Sequence, residues 1–271
     1  MKHATMRVLA VATAGVLAVA CQSVQTTAGG EVGVSRNQLM MVSAAEIEQA
    51  SAQQYSQVIA EARQKGLLNP DAKQLQRVKG ITQRLVGQVG AFRSDALGWP
   101  WEINMIRSDE LNAWCMAGGK MAIYTGLIDQ LKLTDDEIAA VMGHEIAHAL
   151  REHARERVSR SMATGIGVSV LGAMLGAGSV GQDLMSRVAS VTFELPHSRL
   201  HETEADRMGV ELAARAGYDP RAAVTLWDKM AARSSGAPPK WLSTHPSHTD
   251  RQRELRAASE RVLPLYEAAR R

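Results

Sequence analysis

The run from Thr134 to Leu150 constrains this chain more than any other. Thr134-Asp135-Asp136-Glu137 has the form of a capping box, in which Thr and a Glu three residues on satisfy each other's backbone amides. Apolar residues then recur at helical spacing: Ile138, Val141, Met142, Ile146 and Leu150. Inside this helix stands His144-Glu145-Ile146-Ala147-His148. Two histidines four apart share one face a turn apart, so both rings can reach one metal ion at about 2.0–2.1 Å. The small or apolar neighbours Val141, Gly143, Ile146 and Ala147 mark that face as buried. Ionisable groups there need partners to offset their desolvation, and a metal supplies them. Chance gives the five-residue pattern in roughly one or two chains per hundred of this composition, so its helical context carries the weight. Glu145 is placed to take a proton from a water that zinc acidifies.

A zinc site of this kind has three protein ligands and an open fourth position. The third is sought in Ser198-Arg199-Leu200-His201-Glu202-Thr203-Glu204-Ala205-Asp206. Glu202 and Asp206 are four apart and share a helical face. Glu202 suits a ligand, and Asp206 suits a group that orients a ligating histidine through its other ring nitrogen. His201 competes with Glu202 on residue type alone. Glu204 points about 160° away on a helical wheel, toward solvent or a salt bridge.

Two helical patterns precede this region, near residues 43–65 and, after Asn69-Pro70-Asp71, along Leu75, Val78, Ile81, Leu85 and Val89. Pro70 suits the first turn of that second helix. Residues 101–106 read as a short extended segment, and Lys120 to Thr125 alternates like a strand after the turn signal Ala117-Gly118-Gly119. Nearly everything beyond Leu127 reads as helix. The fold class is therefore α+β, mostly α-helical, with one small sheet. Apolar residues make up 45% and charged residues 22%, which excludes a disordered, collagen-like or disulfide-stapled chain. Net charge is +3, with Lys2 and Arg7 in the first 21 residues, so the remainder is nearly neutral and nucleic acid is not an expected partner.

Val8 to Ala20 is an uncharged run behind Lys2 and Arg7, of signal-peptide length and too short to span a bilayer. It ends Leu17-Ala18-Val19-Ala20-Cys21, which resembles a bacterial lipobox with Cys21 as the lipidated first mature residue. Gln22 behind it resembles the sorting signal for the outer membrane. The expected organisation is a signal peptide over 1–21, a flexible tether over 22–36 and one domain over 37–271. Cys115 is left unpaired and reads as a small buried apolar residue.

His144-Glu145-x-x-His148, followed by Leu195-Pro196-x-Ser198-Arg199-x-x-Glu202-x-Glu204-Ala205-Asp206-x-x-Gly209, resembles the M48 zinc metallopeptidases. Asn112-Ala113, Gly118-Gly119, Tyr124-Thr125-Gly126, Ala216-Gly217-Tyr218-Asp219-Pro220 and Ser243-Thr244-His245-Pro246-Ser247-His248 fit in the family's order. Ala117 departs from it, where relatives often carry Pro. Within the family the resemblance is to the branch holding bacterial periplasmic lipoprotein peptidases and the mitochondrial inner-membrane quality-control protease. It implies a gluzincin-type fold with a small sheet beside the active-site helix and one zinc ion per chain. His144, His148 and Glu202 would be the ligands and Glu145 the general base. It also implies endopeptidase action on misfolded or membrane-associated proteins in the cell envelope, on the periplasmic side. The alternative is a chaperone-like assembly factor for outer-membrane proteins, with proteolysis secondary. A purely structural zinc module is a third reading, disfavoured by Glu145.

Further residues carry expectations. His245, Arg251 and Arg199 are candidates to stabilise an oxyanion. His245 is alternatively a fourth ligand that keeps the enzyme latent, and Arg251 alternatively a structural ion pair. The strand holding Gly119, Ala122 and Ile123 is a candidate to pair with an extended peptide substrate, or else is an ordinary buried strand. The Gly-rich run 161–182 is expected to be a mobile lid over the cleft in preference to a membrane contact. His153, Arg155, Glu156 and Arg157 read as a solvated continuation of the active-site helix, and His197 and His248 as surface histidines.

Overall fold

The computed structural model describes residues 22–169, 180–233, 239–246 and 250–271. The chain enters as two short antiparallel strands, β1 (Gln22–Val24) and β2 (Gln38–Met40). Ser43 and Glu46 form a reciprocal capping box that starts α1 (Ala44–Gln64). Asp71 caps α2 (Ala72–Val86) by accepting the Gln74 amide, so Pro70 stands ahead of the cap rather than in the first turn. Two 3-10 turns lead to β3 (Glu102–Ile106), β4 (Ala113–Met116) and β5 (Lys120–Tyr124). These form a sheet of order β3-β5-β4, parallel between β3 and β5 and antiparallel between β5 and β4. The turn into β5 uses Gly119 at φ +79°, where a Cβ would stand 2.6 Å from the Trp101 ring.

Every described element after β5 is helical: α3 (Thr125–Leu131), α4 (Asp135–Leu150), α5 (His153–Ser169), α6 (Val180–Phe193), α7 (Arg199–Arg215), α8 (Ala222–Ala232), α9 (Lys240–Thr244) and α10 (Arg251–Ala269). The expected capping box at Thr134 and Glu137 starts α4. From Glu137 to Leu150 every residue of α4 is buried, because β4, α2, α7 and α8 surround it. Its tightest crossing is with α7. A Cβ on Gly143 would lie 2.8 Å from the Gly209 carbonyl oxygen, and one on Gly209 would lie 2.6 Å from the His144 nitrogen. Only glycine permits this approach, and it brings the first turns of α7 against the histidine face of α4.

Three expectations are corrected. Residues 22–36 are not a flexible tether. Thr27, Val32 and Val34 are buried, the Val32 amide donates to Glu211 at 3.0 Å, and the Ala28 amide donates to the Phe92 carbonyl at 2.8 Å. The polar residues that suggested a tether make specific hydrogen bonds instead. The second correction concerns the end of α4. The helix does not run on into residues 153–157. Glu152 adopts φ +50°, the chain turns, and His153 and Glu156 face inward, fully buried. Third, β5 is the central strand, so both its edges are already paired. Gly119, Ala122 and Ile123 have no free edge for a peptide, and Ala122 and Ile123 are buried.

Among the described residues no helix is long and apolar enough to cross a membrane. Residues 1–21, including Cys21, lie outside the described residues, as does His248. Of the run 161–182, the first part completes α5 and the last begins α6, while 170–179 lie outside them.

Candidate metal centre

The α4–α7 crossing places three donors together. His144 Nε2 and His148 Nε2 are 3.0 Å apart. Glu202 Oε2 lies 3.6 Å from the first and Glu202 Oε1 lies 3.4 Å from the second. Tetrahedral ligands at about 2.0–2.1 Å from zinc stand about 3.3 Å apart, so this spacing fits that ion. Both carboxylate oxygens of Glu202 are buried, Oε1 with no hydrogen-bond partner and Oε2 2.8 Å from an Arg251 guanidinium that Asp206 shares, so two buried carboxylates have one cation between them and a metal ion would supply the missing charge. His245 Nε2 is likewise buried and unpartnered, and it joins His144, His148 and Glu202 in one group of donor atoms within 4.8 Å of each other. Two imidazoles and a carboxylate are the donor types zinc takes in catalytic sites, and zinc is the group that fits.

The turn of α7 sends Glu202 and His201 to different surroundings. His201 Nε2 lies 3.2 Å from Glu156, and its ring stacks on His153, away from the α4 pair. Asp206 lies one turn beyond Glu202, and its Oδ1 is 3.0 Å from His144 Nδ1. Burial alone would raise Asp206, but Arg251 and His144 outweigh it and hold the carboxyl at about 2. It is therefore a permanent acceptor that fixes Nδ1–H on His144 and leaves Nε2 bare.

Arg251 serves these acids. It is 1% exposed, donates to Asp206 Oδ1 at 2.8 Å, approaches Glu202 Oε2 at 2.8 Å and lies flat over Trp227. Its guanidinium is engaged by Asp206 and Glu202, as the ion-pair alternative has it. Arg199 is exposed and pairs with Asp250, with no place in the centre. Glu204, as one of its alternatives held, is salt-bridged: Arg36, Arg151 and His153 all reach it.

Glu145 is 3% exposed. Trp241 of α9 donates to its Oε1 at 2.7 Å, and His245 Nε2 is 3.5 Å from the same atom. Burial pushes the carboxyl up to about 7, against the lowering effect of His144 and the Trp241 bond. It opens on a cleft lined by Trp114 and Cys115 of β4, His148, His197, Phe193 and His245. The Cys115 thiol is pushed well above its ordinary value by burial, which leaves it a poor nucleophile.

His197 was expected at the surface. It stacks on His245 with ring centroids 4.9 Å apart and lies 4.1 Å from the His148 ring, one residue before the cap of α7. Its proximity in sequence to Glu202 was the available signal. His153, read as solvated, is instead fully buried, with its Nδ1 2.8 Å from His148 Nδ1. No spacing rule announces it, because a glutamate at positive φ turns the chain.

Comparison with known proteins agrees with this geometry. The model of peptidase family M48 matches residues 72–259. The chain is 36% identical over 178 residues to mitochondrial metalloendopeptidase OMA1 of Arabidopsis thaliana, covering 65% of this chain and 36% of that one. It is 36% identical over 176 residues to the Bos taurus protein of that name, covering 60% and 32%. It is 30% identical over 203 residues to the beta-barrel assembly-enhancing protease of Escherichia coli, covering 70% and 40%. The matched stretch therefore spans less than half the length of each of these relatives. Residues 72–259 hold all three donors, Glu145, Asp206 and Arg251, and run from α2 into α10, so the site and the scaffold that builds it point the same way: the chain belongs to peptidase family M48.

Proposed function

We propose that the chain is a zinc-dependent endopeptidase of the bacterial cell envelope, acting on misfolded or membrane-associated polypeptides. The observation that carries this reading is the position of Glu145, a buried carboxylate oriented by Trp241 beside three convergent donors and open to the cleft. His144, His148 and Glu202 would hold the ion, which when bound supplies Lewis acidity toward a scissile carbonyl and lowers the pKa of a water. Glu145 Oε takes that water's proton and returns it to the leaving amine nitrogen. Trp241 keeps the carboxylate from rotating away.

The substrate strand is β4 rather than β5. It is one of the two outer strands of its sheet among the described residues, the other being β3, and its Trp114 and Cys115 border the cleft beside Glu145. Main-chain pairing along such an edge tolerates many sequences, which suits unfolded substrates. His245 is read as a fourth ligand that holds the enzyme latent. Its Nε2 is buried without a hydrogen-bond partner and belongs to the same group of donor atoms as His144, His148 and Glu202, which supports the ligand role over the oxyanion role. Anchoring by a lipid on Cys21, on the periplasmic face of the outer membrane, completes the reading and rests on the lipobox pattern. The second reading, an assembly factor with secondary proteolysis, draws on the name of the Escherichia coli relative.

The test is cleavage of casein by the zinc-loaded chain beside Glu145→Gln. Cleavage by the wild type alone, with zinc bound by both, is expected, with a loss of about 10²–10⁴-fold in the variant. His245→Ala should raise the basal rate. If wild type and His245→Ala both bind zinc and neither cleaves, the assembly-factor reading replaces this one.

A further inference from the structure

The two histidine ligands are supported differently. His144 rests on Asp206, inside the same pair of helices. His148 rests on a longer chain of contacts. Its Nδ1 meets His153 Nδ1 at 2.8 Å, and His153 Nε2 meets Glu204 Oε2 at 2.9 Å. Glu204 is then gripped by Arg36, whose Nε donates to Oε1 at 2.7 Å and whose Nη2 donates to Oε2 at 3.0 Å. Arg151 adds a weaker contact at 3.2 Å. The other side of the Arg36 guanidinium holds Glu156 at 2.8 and 2.7 Å.

The proton order along this chain is forced. Two facing Nδ1 atoms share one proton, and a carboxylate end accepts only N–H. With Glu204 accepting from His153 Nε2–H, His153 Nδ1 is an acceptor. His148 therefore donates from Nδ1, and its Nε2 is left with a lone pair toward Glu202 and His144. The anionic end of the relay sets the tautomer of a metal ligand, and Arg36 is its main counter-charge.

Arg36 does not belong to the helical scaffold. It sits on the N-terminal segment, outside the stretch 72–259 that matches the family. The segment is fastened around it. Gln38 donates to Glu156 and to the Arg151 carbonyl, both at 2.7 Å. Arg151 returns bonds to Thr26, Thr27 and the Arg36 carbonyl. The Val32 amide is held by Glu211.

We infer that Arg36 is a positioning residue of the metal centre: acting through Glu204 and His153, the N-terminal segment holds the His148 ring in the orientation and tautomer that bind zinc. Removing Arg36 leaves two buried carboxylates facing each other without their shared cation, and the relay loses its fixed end. Partners of metal ligands at this distance set metal affinity by 10–100-fold.

The test is the zinc dissociation constant of the full chain in detergent, measured by competition with a chromogenic chelator, with the visible spectrum of the cobalt-loaded protein as a second readout. Arg36→Met is expected to weaken zinc binding about tenfold and to shift the cobalt bands. Arg36→Lys should recover part of the loss. Arg77→Met, which breaks an ion pair with Asp135 remote from the site, should change neither readout. Because Arg36 acts through His153, the double variant Arg36→Met/His153→Asn should bind no more weakly than His153→Asn alone. Wild-type affinity in a folded Arg36→Met, or losses that multiply in the double variant, would overturn the inference. Should Arg36→Met fail to fold, Glu204→Gln keeps the shape, removes the charge and carries the same two outcomes. A wild type that binds no zinc would instead remove the metal centre on which the inference stands.

Discussion

Glu145 and Glu202 are both buried glutamates, and their surroundings divide the work. Glu145 has a Trp241 N–H on one oxygen and faces the cleft. Glu202 faces two imidazoles and shares the Arg251 guanidinium with Asp206. Two buried carboxylates that share one guanidinium are destabilising until a second cation arrives. Chelation should therefore lower the melting temperature, and free zinc at a hundred times its Kd should restore about 2.7 kcal/mol. Calorimetry with and without chelator checks this, and an unchanged melting temperature would count against Glu202 as a ligand. Asp206→Asn should weaken zinc binding by about 10–100-fold, read by chelator competition. The pairing of His144 with His148 and of Glu202 with Asp206 is legible in the sequence because i, i+4 spacing reports directly which side chains share a helical face, while the preference for Glu202 over His201 comes from the family resemblance. The place of His197 is not legible, since a loop residue's direction has no period.

At the level of elements, the contact between α4 and α7 decides whether a centre exists. Gly143 and Gly209 set the helix separation, and a methyl at Gly209 would meet the His144 backbone at 2.6 Å. Gly209→Ala should cost about 1–3 kcal/mol by overpacking and should also weaken zinc binding, because pushing α7 away carries Glu202 with it. Denaturant unfolding and chelator competition on the same variant check both, and a stability loss with intact affinity would show that the site absorbs the shift. The start of α4 was legible from Thr134 and Glu137, as capping is local chemistry. Its end was not: Glu152 at φ +50° is a conformation that a glutamate adopts only under tertiary constraint. The role of β5 was misjudged for a related reason. Alternation identifies a strand but is silent on strand order, and the order β3-β5-β4 makes β4 the outer strand beside the cleft.

Over the whole molecule, the buried polar cluster behind the centre joins the N-terminal segment to α4, α5 and α7. Glu156 is one of its buried members. Burial alone would raise its carboxyl, but hydrogen bonds from His201, Arg36 and Gln38 outweigh burial and hold it well below its ordinary 4.5. A carboxyl depressed in the folded state stabilises the fold fully above its unfolded value, and that contribution is lost as pH falls below about 4.5. Glu156→Gln should therefore flatten the acid side of the stability profile relative to wild type. Urea unfolding between pH 7 and pH 3 measures it, and parallel profiles would mean that other acids dominate.

Local sequence carries a capped helix with two histidines a turn apart, a second helix presenting Glu202 and Asp206, and a mostly helical α+β fold around a short sheet. All of these rest on local periodicity and capping, which residues within one turn decide among themselves. Packing between distant segments sets the rest. Strand order, the inward turn of His153, the capture of Arg251 by Asp206 and Glu202, and the fastening of residues 22–40 onto the helices depend on contacts between residues far apart in the chain. Such pairings follow from which surfaces pack together, and no local pattern encodes them.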